Sequence, residues 1–485
     1  VVISNRVAVP RAGNRAGGLE VAVLAALKKH PGIWFGWSGR VSSRGLETRT
    51  IDADKISYVV TDLPKEDYNE YYNGFANRVL WPILHYRLDL AEFSRQDLGG
   101  YLRVNEHFAD ELHKILRPDD IVWVHDYHLL TLAKALRERG HRNKIGFFLH
   151  TPFAAPEIIT ALPQHERIIW AMSHYDLVGF QTEIDASNYA RYVETECRYP
   201  LKGHWTYDTG ERVVKIGVFP VGIEVESFSR MARRAARSSF VNDVLASLSG
   251  RAMIIGVDRL DYSKGIDARI DAFEKFLAAN PEWRNNVTYL QITPKSRSTI
   301  QEYAAMERLV SEKVGHVNGN YGEASWTPIR YINRAHSRTA LAGLYHGARA
   351  ALVTPLRDGM NLVAKEYVAA QNPEDPGVLI LSRFAGAALE CKPALLVNPY
   401  DTASVGSAIA RALSMPLEER RARQDALFRI ISQNDITDWP DRFLSMLTGE
   451  TEPSRDHVAL QDAAPKDSSA QPYRPIGNPR ALPRT

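Results

Sequence analysis

Short apolar runs alternate with segments of helical periodicity over most of the chain. The runs at 121–124, 145–149, 177–180, 253–257, 287–292, 350–353, 378–381 and 394–397 are rich in Val and Ile. Runs this short and this continuously apolar predict strands of parallel sheets, buried on both faces. Helices between them would complete the crossovers that parallel strands need. Within 18–30, Leu19, Val23, Ala26 and Leu27 share one helical face, and Lys28, Lys29 and His30 suit the C-terminal end of a helix dipole. Segments 103–116, 301–314 and 361–371 read as helices in the same way.

The stretch 224–250, with many Ala, Arg and Ser, separates two strand-rich halves. The expected organisation is therefore α/β, with two doubly wound, Rossmann-like domains facing across a cleft, residues 1–225 and 226–434. From 452 onward six prolines accompany few large apolar residues, and 450–485 reads as a disordered tail.

Composition narrows the function classes. The chain has 485 residues, 45% hydrophobic and 24% charged, an ordinary globular mixture able to bury large cores. Lys and Arg number 60 against 57 Asp and Glu, a balance that gives no case for nucleic acid or an anionic membrane as partner. No apolar run approaches the roughly 20 residues of a membrane helix. Cys197 and Cys391 are too few for a disulfide scaffold and lack metal-ligand spacing. Val1-Val2-Ile3 reads as a strand and not as a signal peptide, so the cytoplasm is the expected compartment.

Ligands of doubly wound sheets bind beyond the carboxyl ends of strands, which directs attention to the polar residues after each apolar run. Four clusters stand there: His125-Asp126-Tyr127-His128, His150-Thr151-Pro152-Phe153, Asp258 through Gly265, and Arg357-Asp358-Gly359-Met360-Asn361. In the last, Gly359 permits close approach of backbone to ligand, and the helix that follows offers free N–H groups to an anion. Glu366 lies about one turn inside that helix, roughly 5–8 Å along its axis, within reach of ribose hydroxyls. A plainly capped helix with Glu366 on a solvated face fits the pattern as well. Arg259 and Lys264 share one loop and can converge on a departing diphosphate; a solvated basic loop is the alternative. Arg6 follows the first strand, and Gly17-Gly18-Leu19 precedes a helix, a second phosphate-accommodating turn. Tyr72 and Trp81 lie in the aromatic-dense stretch 68–86, which core packing would also explain. No Walker A pattern occurs and no GxGxxG opens a helix.

Taken together, Ser4-Asn5-Arg6, Gly17-Gly18-Leu19, Tyr71 through Asn77, Leu80-Trp81-Pro82, His125 through Leu129, Asp258 through Gly265 and Arg357 through Glu366 resemble the trehalose-6-phosphate synthase family, in order, over residues 1–447. The resemblance implies a GT-B fold and retaining glucosyl transfer from a nucleotide-glucose donor, usually UDP-glucose, to glucose 6-phosphate. The product is α,α-trehalose 6-phosphate. It also implies that residues 435–449 form a terminal helix crossing back to the N-terminal domain. By position, Arg6, Tyr72, Trp81 and Arg297 match the acceptor-phosphate pocket. Arg259 and Lys264 match the diphosphate ligands, and Gly18 the glycine-rich donor loop. Asp126, His150 and Asp358 match residues around the transferred glucose. Asp358, Gly359, Met360, Asn361, Leu362 and Glu366 match the donor-binding segment, the last two at its nucleotide end. Asn333 through Arg338 departs from the family pattern near the nucleobase, which leaves UDP, GDP and ADP donors open.

The implied mechanism is front-face transfer through an oxocarbenium-like state, with the acceptor hydroxyl attacking beside the departing diphosphate. Position and charge carry it, with Arg259 and Lys264 in place of a metal. No metal or cofactor is expected, and a homo-oligomer is the expected assembly. Asp52-Ala53-Asp54 matches the Asp-x-Asp of metal-dependent glycosyltransferases in two residues and reads as surface carboxylates. His165-Glu166 lacks the second His of a zinc-protease helix, because position 169 is Ile. Alternatives are a GT-B enzyme with another sugar-phosphate acceptor, a pseudo-glycosyl coupling enzyme, or a non-catalytic sugar-phosphate sensor. The polar, proline-rich segment 450–485 is not expected to form a phosphatase domain.

Overall fold

The computed structural model describes residues 1–9, 18–43, 47–203, 205–296 and 301–450. The apolar runs of the first half enter one sheet in the order Thr48–Ala53, Ile56–Pro64, Ile33–Ser42, Val2–Arg6, Val122–His125, Ile145–Phe148, Leu177–Phe180, Val213–Val218, Thr206–Asp208, Leu201–Lys202. From Ile56–Pro64 to Val213–Val218 every pairing is parallel, and antiparallel strands finish both edges. The second half gives an all-parallel sheet: Ile329–Ile332, Val287–Ile292, Ala252–Val257, Ala350–Val353, Val378–Ser382, Leu395–Val397.

Both sheets are filled on two faces. Val122 and Val124 pack with Ile3 and Phe147 on one side, while Trp123 points to the other and meets Trp439 and Phe443. This alternation inside a continuously apolar strand is what the sequence pattern anticipates. Both sheets also reverse their strand order. The reversal lies between Val2–Arg6 and Val122–His125 in the first sheet, and between Ala252–Val257 and Ala350–Val353 in the second. At such a point the loops leave in opposite directions and open a crevice.

The stretch between the halves is not a bare connection. It forms helices Val225–Ala235 and Ser239–Ala246. Val225, Phe228, Ala232 and Ala235 recur at helical spacing and are buried, and the first three join the core of the second sheet. Segment 68–80, read only as aromatic-rich, is a π-helix, Tyr68–Leu80, followed by a short α-helix, Trp81–Leu84. The wider π turn is rare.

The last helix, Trp439–Thr448, lies on the first sheet although it follows the second in sequence. The indole N–H of Trp439 donates to the Phe219 carbonyl at 3.0 Å, and Phe443 stacks on Trp123 at 4.5 Å. Asp441 pairs with Lys29 and His30. Phe443 sits in a trough over Gly146 and Gly179, where any Cβ would come within 2.6 and 2.8 Å of its ring.

Two segments pass between the halves side by side. Val225 N–H donates to the Asp435 carboxylate at 3.0 Å, and Ile436 N–H to the Ile223 carbonyl at 3.3 Å. Between them Gly222 backs onto Asn434, and a Cβ there would lie 1.8 Å from the Asn434 carbonyl oxygen. Backbone on both sides leaves nothing flexible to yield. Gly222→Ala is expected to cost about 1–3 kcal/mol, read as a clear drop in thermal midpoint by calorimetry. An unchanged midpoint would show that the crossing segments slide freely past each other.

Candidate functional site

The loop after Ala252–Val257 is organised by one carboxylate. Asp261 has no solvent exposure. Its Oδ1 accepts from the Ser263 N–H at 3.0 Å and the Ser263 hydroxyl at 2.8 Å, closing the turn that carries Lys264. Its Oδ2 accepts from Tyr303 and from Arg259 Nε, each at 3.3 Å. From the first half of the chain, the buried Trp81 donates its indole N–H to Oδ1 at 3.4 Å. The Arg259 guanidinium lies over the Trp81 ring, 4.8 Å from its centroid, a cation–π contact.

Lys264 meets the loop after Ala350–Val353. Its ammonium contacts Asp358 Oδ2 at 2.5 Å, and Asn361 Nδ2 donates to the same oxygen at 3.0 Å. Burial works against the Asp358 charge, but Lys264 and Asn361 outweigh it and hold the carboxyl below its usual range. Asn361 adopts φ +81° and caps helix Leu362–Ala370, its Oδ1 accepting from Ala364 N–H. Leu362 opens the helix, and Met360 is buried beside it. Glu366, one turn in, takes two contacts of 3.2 Å from Arg338. Burial raises the Glu366 carboxyl above its usual value even so.

The two sheets touch where Gly359 passes His150. A Cβ at 359 would stand 2.2 Å from the His150 carbonyl oxygen, so only glycine allows this approach. His150 N–H donates to Asp126 Oδ1 at 3.3 Å, and Asp126 itself holds φ +76°, a conformation that a β-carbon disfavours. A second link is cationic: the Arg357 guanidinium lies 3.9 Å from the centroid of Tyr86.

Of the expected acceptor residues, Tyr72 and Trp81 line one aromatic wall. Tyr72 stacks on His128 at 5.9 Å, His128 contacts Tyr127 at 4.0 Å, and Tyr127 contacts Trp81 at 5.7 Å. Arg6 ends its strand, exposed, with its guanidinium against Gly39 and its backbone in register with Trp37, which also meets Tyr72. Gly18 opens helix Gly18–Lys29. Arg297 lies outside the described residues. The structure thus brings Arg259, Lys264, Asp358, Gly359, Met360, Asn361 and Leu362 to one crevice with Trp81, Asp126 and His150.

Three supporting residues were not singled out from sequence: Asp261, Arg338 and His85. Their partners stand 180 residues away, 28 away and on a neighbouring turn, respectively. His85 donates Nδ1–H to the Trp81 carbonyl at 2.7 Å with its ring 4.0 Å from that indole.

Elsewhere, Asp52 accepts from the Ser57 hydroxyl at 2.6 Å beside a tight turn at Asp54 and Lys55, both at positive φ. Cys197 and Cys391 are free thiols, each pushed up to about 12 by burial. Among the described residues, no three His, Cys, Asp or Glu are grouped to hold a metal, and no helix is long and apolar enough to cross a membrane.

Compared with known proteins, the profile of glycosyltransferase family 20 matches residues 7–449. A trehalose-6-phosphate synthase from Sinorhizobium fredii is 51% identical over 457 residues, 93% of this chain and 98% of that one. The crystal structure of an alpha,alpha-trehalose-phosphate synthase (UDP-forming) from Burkholderia vietnamiensis superposes with TM-score 0.90 at 44% identity, over 92% of this chain and 96% of that one. One from Burkholderia xenovorans in complex with glucose-6-phosphate also gives TM-score 0.90, at 42% identity over 92% and 99%.

Burial pushes the His85 imidazole down to about 4, with Asp261 opposing. In the unfolded chain it takes up a proton near pH 6.5. Between those values the unfolded state binds more protons, so stability rises with pH and is lost as pH falls from about 6.5 towards 4. Asp185, pushed up to about 6 from 3.8, pulls the other way in part of this window. The comparison of wild type with His85→Asn isolates the first effect. In the variant, the pH dependence of unfolding free energy is expected to correspond to one fewer proton taken up. Identical slopes would mean that His85 is already protonated in the fold.

Proposed function

This chain belongs to glycosyltransferase family 20, and on that premise we propose that it moves glucose, with retention, from UDP-glucose to glucose 6-phosphate, giving α,α-trehalose 6-phosphate. The observation that carries the reading is the meeting of two cations with the aromatic wall of the other half: Arg259 laid on Trp81, and Lys264 held on Asp358. Both cations stand beyond the carboxyl end of Ala252–Val257, beside the point where strand order reverses. A donor diphosphate seated there has its leaving charge met by fixed positive groups, and the growth of that charge in the transition state is what they stabilise.

In this reading residues 1–225 form the acceptor-side domain, 226–434 the nucleotide-sugar domain, and 435–449 the helix returning to the first. Arg6, Tyr72, Trp81 and Arg297 hold the acceptor's phosphate end. Asp126, His150 and Asp358 orient hydroxyls of the transferred glucose. The backbone from Gly359 to Leu362 covers the diphosphate, Glu366 receives ribose hydroxyls, and Gly18 belongs to the donor loop. Asp358 then exchanges its partner, since Lys264 cannot grip both the carboxylate and a phosphate at full strength. The UDP specificity rests on the two Burkholderia proteins named as UDP-forming. The cytoplasm, where the two free thiols stay reduced, is the compartment we assign.

Lys264→Ala is expected to lower kcat about 10²-fold or more, the loss typical of one preorganised charge-stabilising group, with the fold retained but the thermal midpoint lowered, because Asp358 is left enclosed without its cation. Turnover of UDP-, GDP- and ADP-glucose with glucose 6-phosphate, followed by mass and anomeric coupling, checks the reaction itself. No disaccharide phosphate from any donor would remove the assignment, and full activity in Lys264→Ala would remove the residue from it.

A further inference from the structure

At the end of strand Val122–His125 and just past its neighbour Ile145–Phe148, two imidazoles face each other, His125 Nδ1 lying 3.1 Å from His150 Nε2. Rings surround them. Trp123 stands 4.6 Å from His125, Phe148 meets His150 edge-on at 4.8 Å, and Trp439 lies 6.1 and 6.2 Å from the two. This dry setting holds both rings neutral, His125 far below its ordinary value and His150 pushed down to about 3. Two neutral imidazoles share one proton in such a bond, so the pair must choose a tautomer.

The surroundings of His125 decide the choice. Its Nε2 is buried without a hydrogen-bond partner. Were His150 to donate, the remaining His125 proton would sit on that nitrogen, and an orphaned buried N–H is among the rarest groups in folded proteins. If His125 donates through Nδ1, Nε2 carries only a lone pair, the smaller loss. His150 then receives at Nε2 and keeps its own proton on Nδ1. That nitrogen is not closed off as His125 Nε2 is, and His150 as a residue keeps a part of its surface open.

We propose that His125 is a positioning residue for the transfer: by donating Nδ1–H to His150 it fixes His150 as an Nδ1–H donor aimed at a hydroxyl oxygen of the transferred glucose. The inference rests on the reading of His150 as a glucose contact. It gives His150 an orienting task and no proton to exchange, in keeping with a reaction in which the leaving diphosphate takes the acceptor's proton. The box built by Trp439 makes the terminal helix part of the same device.

The first test uses the wild-type protein. Long-range proton–nitrogen spectra of histidine-labelled enzyme, assigned with His150→Gln, are expected to show the Nδ1–H form for both His125 and His150. An Nε2–H form at His150 overturns the proposal. The second test is kinetic. His125→Asn keeps an N–H near the position of Nδ1 and is expected to hold kcat within a few-fold. His125→Leu cannot donate and is expected to lose about ten- to a hundred-fold in kcat, with KM for glucose 6-phosphate unchanged. In a panel of monodeoxy UDP-glucose analogues, the penalty for one missing hydroxyl should shrink alike in His125→Leu and His150→Gln. A shrunken penalty in His150→Gln but not in His125→Leu sinks the role of His125 alone. A full penalty in His150→Gln sinks the glucose contact on which it stands.

Discussion

Asp261 keeps its carboxylate wholly out of water, and a buried carboxylate must be met by donors or it destabilises whatever encloses it. The donors come from a turn, two side chains of the same half, and the indole of Trp81 in the other half. Through these contacts one group fixes where Lys264 points, how Arg259 lies on an aromatic face, and how closely the halves approach. Removing it would take one hydrogen bond from Trp81 and the ion pair from Arg259 at the same time.

The second constraint is competition for positive charge. Lys264 and Asp358 are each nearly enclosed, with 13% and 16% of their side chains exposed. A pair in that setting is held by mutual dependence more than by net stabilisation, because desolvation consumes much of the attraction. That suits a crevice built to admit an anion. The pair holds Lys264 in place, and Asn361 gives Asp358 a second partner that does not depend on the ammonium. Arg338 plays a similar part for Glu366, where burial has already raised the carboxyl.

The fold was legible where one cause dominated. Strands buried on both faces, such as Ala252–Val257 and Leu177–Phe180, read as apolar runs, and the structure has them at the predicted positions. Edge strands with one face in water escaped: Thr48–Ala53 is mostly exposed and reads as polar sequence. Helices Val225–Ala235 and Ser239–Ala246 escape the apolar pattern, since the stripe of the first is diluted by arginines on its outer face and the second buries only Val241. The helix expected from 103 starts at Arg95, where Ser94 accepts from Asp97 N–H, a cap that the apolar period alone does not reveal. The π-helix at Tyr68–Leu80 follows a wider turn than the 3.6-residue period that marks an α-helix. Among chemistry-bearing residues, strand ends pointed to the crevice, because parallel sheets put ligands there. Asp261 and Arg338 act through partners distant in sequence, which no local pattern encodes.

The glycine trough that receives Phe443 lies on the first half of the chain, but its occupant belongs to the last helix. On a ribosome, strands Ile145–Phe148 and Leu177–Phe180 emerge hundreds of residues before the segment that covers them. Domains generally fold as they are synthesised, N-terminal first. This first half therefore waits with an apolar furrow open until Trp439–Thr448 has been made. During that interval the furrow is open to other apolar surfaces, and the arrival of this helix, more than the domain boundary, marks the moment at which the first sheet is sealed.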